Sequence, residues 1–69
     1  MEIKWTEGNQ ITVRAEGGTV TLSSNREGLL SLAGQLAALA GEPPGSHVHY
    51  DEHNSLEDGS AELIVQRTE

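Results

Sequence analysis

The segment SHVHYDEHNSLEDGS, Ser46 to Ser60, gathers all three histidines of a 69-residue chain beside the carboxylates Asp51, Glu52, Glu57 and Asp58. These residue types ligate metals, move protons or form ion pairs, and spacing narrows the choice. His47 and His49 stand two apart on a predicted strand, so both side chains leave one face, with Cα atoms about 7 Å apart. One metal ion could bridge such a pair, but a usable site needs at least one more protein ligand. Asp51, next on that face, lies about 13 Å from His47 along a straight strand. His53 is the first candidate to swing back, which makes His47, His49 and His53 the metal-binding alternative; Glu52, Glu57 and Asp58 are further candidates. H-x-H alone is not a specific metal signature. The competing reading is a histidine pair on a half-exposed sheet face, donating to Asp51 or Glu62, with Val48 and Tyr50 pointing into the core. On that reading no cofactor is needed.

Catalysis finds less support. A nucleophilic serine needs a histidine base and an oxyanion cradle, and no nucleophile-elbow pattern occurs here. Glu57-Asp58 is a sequence-adjacent carboxylate pair of the kind that is ordinarily solvated. A chain this short leaves little room for a water-excluding pocket. The expectation is a protein that is not an enzyme.

The chain as a whole must position whatever this segment does. Its large apolar set is eight Leu, three Ile, four Val, Met1, Trp5 and Tyr50, with no Phe. That suffices for one thin core in one domain, 1–69. There is no cysteine, so disulfide staples are excluded. Eleven acidic against four basic side chains give a formal charge of −7. Such a balance opposes phosphate-backbone binding and favours basic partners. The longest charge-free run, Gly28 to Gly41, is too short and too polar to span a bilayer. No apolar signal segment follows Met1, and a cytoplasmic protein without membrane or nucleic-acid partners is expected.

Glu2 to Thr6, Ile11 to Glu16 and Thr19 to Leu22 alternate in the manner of strands, with Gly8-Asn9 and Gly17-Gly18 at the turns between them. They predict a three-stranded meander. Leu29, Leu32, Ala33, Leu36, Leu39 and Ala40 recur at helical spacing from a start near Asn25, with Ser24 and Glu27 in capping-box form and Gly41 as a left-handed cap. His47 to Tyr50 and Ala61 to Arg67 are two further strands, the last apolar on both parities like a central strand. Asp51 to Ser60 connects them and is longer than a simple hairpin needs. The predicted fold is α+β: a three-stranded meander, one helix and two C-terminal strands in a single mostly antiparallel sheet, with the helix packed on one face.

The block GSHVHYDEHNSLEDGSAELIVQR, Gly45 to Arg67, resembles the C-terminal signature of the immunity protein 32 family, small bacterial proteins of polymorphic toxin systems. A histidine-rich strand ending in Asp leads through a Leu-Glu loop into a final Glu-Leu-Ile strand. The likeness is carried by His47, His49, Tyr50, Asp51, Leu56, Glu57, Ser60, Glu62, Leu63 and Ile64. It implies an intracellular inhibitor that neutralises a cognate protein toxin, and it brings no catalytic residues with it. A basic nuclease is the toxin class that the acidity suits. The candidate partner-binding residues are Asp51, Glu52, His53, Asn54, Glu57 and Asp58, whose carboxylates would stand in for phosphate or cap a basic site.

A second candidate surface lies on the helix. Projected at about 100° per residue, Ser31, Gly34, Gln35 and Ala38 fall opposite the leucine stripe. That small, uncharged face is the expected contact for a homodimer.

Overall fold

The computed structural model describes Met1 and residues 3–69. Two antiparallel hairpins flank one helix: β1 (Ile11–Glu16) with β2 (Thr19–Ser24), then α1 (Arg26–Ala40), then β3 (His47–Tyr50) with β4 (Leu63–Gln66). The class is α+β as expected, but the single sheet is not. The described strands form two separate two-stranded sheets.

Two observations explain the difference. Of the expected first strand, Glu2 lies outside the described residues, and Ile3 to Thr6 form no ladder. Their backbone is satisfied by side chains of α1 instead: Thr6 N donates to Ser31 Oγ, and Lys4 O accepts from Gln35 Nε2. The free edge of β1, where a third strand would pair, is taken by the connector between β3 and β4. Glu57 N donates to Ile11 O and Ala61 N to Val13 O, both at 2.8 Å, while Val13 N donates to Ser60 Oγ. Ala61 is therefore spent on the β1 edge, and β4 begins at Leu63. Nor is β4 central: Leu63 and Val65 are half-buried while Ile64 and Gln66 are exposed.

The β1–β2 turn is built on Gly17 and Gly18, both at positive φ, as a two-residue hairpin of this twist requires. The register sets Ile11 opposite Ser24, Val13 opposite Leu22 and Ala15 opposite Val20. Ile11 and Val13 are completely enclosed and join Leu32, Tyr50 and Leu56 in one core cluster.

Helix α1 opens on Asn25, one residue after the expected cap. Asn25 Oδ1 accepts from Gly28 N, and Ser24 Oγ donates to Asn25 O rather than closing a box with Glu27. At the other end Gly41 is right-handed, with φ −91° and ψ −2°; its N–H and that of Glu42 close the last turn on Ala38 O and Leu39 O.

The helix is also rotated from the expected orientation. Gly28, Ser31, Leu32, Gln35 and Leu39 face inward, whereas Leu29, Leu30 and Leu36 are about half exposed. The face Ser31, Gly34, Gln35 and Ala38 is therefore not an open dimer surface, because Ser31 and Gln35 are buried in it. Hydrogen bonding decides the rotation. Ser31 and Gln35 serve the backbone of the N-terminal segment, and a buried peptide group left unpaired costs more than a partly exposed leucine. Gly28 permits the close approach: a Cβ there would lie 2.7 Å from Ile11 Cγ1.

Candidate functional site

The connector from Asp51 to Ser60 is an ordered structure built largely by its own first residue. Asp51 O accepts from the amides of Asn54, Ser55 and Leu56, and Asp51 Oδ1 accepts from His53 N, the Asx-turn arrangement that lets a short side chain mimic a backbone turn. Asn54 completes it, with Oδ1 accepting from Asp51 N and Nδ2 donating to His49 O. Leu56 then drops into the core, 5% exposed, and pins the middle. Beyond it, Glu57, Ser60 and Ala61 dock on β1 as described. Glu52 Oε2 accepts from Gly59 N at 2.8 Å, tying the two halves together across a glycine at positive φ.

The six candidate partner-binding residues thus divide by role. Asp51 is half-buried and shapes the turn together with Asn54, while Glu52 spends one oxygen on Gly59. The side chains of His53, Glu57 and Asp58 are exposed and make no hydrogen bond or ion pair among the described residues. None of the four carboxylates of the connector pairs with a cation among the described residues; the ion pairs there are Met1 N-terminus with Glu42 and His49 with Glu62. A shallow hollow of about 380 Å³ opens beside the connector, walled by Trp5, Asn9, Glu52, His53 and Glu57. Trp5 and Asn9 were not evident from sequence as part of this surface. The lone leucine in a polar loop was the available sign that the connector is anchored.

The histidines are placed differently from a metal cluster. His47 and His49 share the exposed face of β3, ring centroids 5.0 Å apart in an edge-to-face arrangement. His47 Nδ1 contacts Gly45 O, and His49 Nδ1 lies 3.3 Å from Glu62 Oε2, one of the two carboxylates expected for it. No three His, Asp or Glu side chains converge to hold a metal ion among the described residues, so His53 does not close a site with His47 and His49.

Below the connector, Tyr50 is 1% exposed. Its hydroxyl donates to Gln35 Oε1 at 2.7 Å, and its ring meets Trp5 edge-to-face at 5.9 Å. Burial pushes the phenol pKa up from its ordinary value, since the charged form would be desolvated.

The fold and site define a small α+β protein that ties an acidic connector along one sheet edge by hydrogen bonds and a buried leucine. No helix among the described residues is long and apolar enough to cross a membrane. A family model described as Immunity protein 32 matches residues 19–68, and the chain belongs to that family. The match begins at β2 and takes in the helix, well beyond the C-terminal block that carried the resemblance. No curated protein and no solved structure matches the chain.

Proposed function

We propose that this chain is a non-catalytic immunity protein that neutralises a basic protein toxin, such as a nuclease, by binding it through the connector. Family membership supports the immunity role. The observation that carries the choice of surface is an ordered connector whose Glu57 and Asp58 carboxylates are exposed and unpaired with cations among the described residues. The backbone is held by Asp51, Asn54, Leu56 and Ser60, so little ordering entropy remains to be lost on binding. Glu52 and Glu57 line the hollow together with Trp5, an arrangement suited to an arginine or lysine side chain, with carboxylates to pair the charge. The net charge of −7 adds long-range attraction to a basic partner.

The test uses the protein encoded next to this one in its genome. Co-expression should relieve its toxicity, and calorimetry should show a complex whose affinity falls with added salt. Replacing Glu57 and Asp58 by Gln and Asn should weaken binding at least tenfold without moving the melting temperature. Full protection by the doubly neutralised variant would sink the connector as the contact, whatever else binds.

A further inference from the structure

One edge of the β1–β2 sheet is closed and the other is open. Val13 turns its own N–H and C=O toward the connector, as Ile11 turns its C=O. In an antiparallel ladder residues alternate between facing their partner strand and facing away, so Val13 and its opposite Leu22 form a pair that does not exchange bonds. Leu22, and Val20 two residues before it, therefore point their N–H and C=O groups away from β1. Neither residue's outward groups have a backbone partner among the described residues. Strand edges of this kind are normally guarded by Lys, Pro, a bulge or a covering loop. The strand TVTLSS has no charge and no proline, and every residue from Thr19 to Ser23 is exposed.

The side chains add to the case. Val20 is 63% and Leu22 36% exposed, although both lie on the same sheet face as the enclosed Ile11 and Val13. Helix α1, which packs against β2, leaves Leu29 and Leu36 exposed on the flank away from the N-terminal segment. This surface is apolar, and nothing in the described part of the chain covers it.

We infer that β2 pairs antiparallel with β2 of a second copy of this chain about a two-fold axis at Thr21, joining two hairpins into one four-stranded sheet. In that register Val20 of each copy exchanges two backbone bonds with Leu22 of the other. Their side chains meet on the core face, between the two helices. Charge selects the occupant. On the proposed function a basic partner takes the acidic connector at the opposite edge, on β1, whereas two chains of −7 meet with least repulsion where carboxylates are absent, and β2 and the run Gly28 to Gly41 are free of them. Area agrees. A monomer of 7.4 kDa is expected to expose about 4,200 Å², and this chain exposes 4697 Å². Covering the excess in both copies removes about 1,000 Å² in total, the threshold for a specific interface.

Sedimentation equilibrium between 5 and 500 µM tests this, with the expected species having about twice the 7.4 kDa chain mass. Val20→Lys, at an exposed edge position, should raise the dimer dissociation constant at least tenfold, and Glu57→Gln should leave it unchanged. Amide exchange in the unaltered protein gives a second readout. The Val20 and Leu22 amides should be protected several-fold more at the top of that range than at the bottom. A chain that stays monomeric throughout, a dimer indifferent to Val20→Lys, or Val20 and Leu22 amides that exchange equally fast at both concentrations would each overturn the pairing.

Discussion

Replacing Tyr50 by Phe isolates one hydroxyl at the centre of the molecule. The ring stays, and with it the edge-to-face contact to Trp5. What is lost is the 2.7 Å bond to Gln35 Oε1, leaving a buried acceptor without a donor, because Gln35 is 3% exposed and its Nε2 is engaged by Lys4 O. An orphaned buried acceptor costs about 1–3 kcal/mol. A chain of this length has a total stability of only about 3–10 kcal/mol, so the loss is a large share. It should lower the melting temperature by about 4–8 °C for each kcal/mol.

Alkaline pH gives the same bond a second signature. Burial raises the folded phenol pKa above its ordinary value of 10.0. The stabilisation is whole below the unfolded pKa and drains away as pH rises through the folded one. Urea midpoints of the two proteins should therefore differ most at pH 7 and converge above pH 10. A difference below about 0.5 kcal/mol at neutral pH, within the range of an inconsequential surface change, or a gap that holds constant into alkali, would refute the buried bond as described.

The remaining predictions concern α1 and its ends. Gly28→Ala should destabilise the chain by about 1–3 kcal/mol, since its Cβ would meet Ile11 Cγ1 at 2.7 Å in a closed core. Gly34→Ala, six residues on, meets nothing within 4 Å and should stabilise by about 0.5–1 kcal/mol through helix propensity; equal effects of the two in thermal melts would contradict the helix rotation. Asn25→Ala removes the cap to Gly28 N together with the bonds to Gln10 N and Gly8 O, and should cost about 1–2 kcal/mol, checked by urea denaturation, with Asn25→Asp recovering the two accepted bonds.

Much of the secondary structure was legible from the chain itself. Alternation placed β1 and β3, glycine pairs placed the first turn, and leucine periodicity placed α1. The sheet was not legible, because pairing depends on which edge is free, and the edge of β1 is taken by Glu57 and Ala61 from a loop 46 to 48 residues away. The helix rotation escaped for a related reason. Hydrophobic pattern weighs side chains by apolarity, whereas Ser31 and Gln35 are drawn inward by peptide groups at Thr6 and Lys4 that have no ladder of their own. At the candidate site, residue types singled out the acidic connector only as a proposal. They could not show that Asp51 and Asn54 are occupied with its shape while Glu57 and Asp58 stay outward.

That division of labour follows from the weakness of the parts. A lone two-stranded hairpin is marginal in water, and the described residues form two of them with six buried large hydrophobic side chains between them. The connector is what makes them one body, because its amides replace a missing strand on β1 and Leu56 adds to the shared core. A segment so used cannot be altered at its backbone-facing positions without loosening both hairpins, so Ser60→Ala or Leu56→Ala would weaken any partner contact indirectly, through the fold. The side chains of Glu57 and Asp58 are free of that duty, since Glu57 serves β1 through its amide alone, and neutralising them separates the two effects. Recognition lost at constant melting temperature speaks for contact, and recognition lost together with stability speaks only for the scaffold.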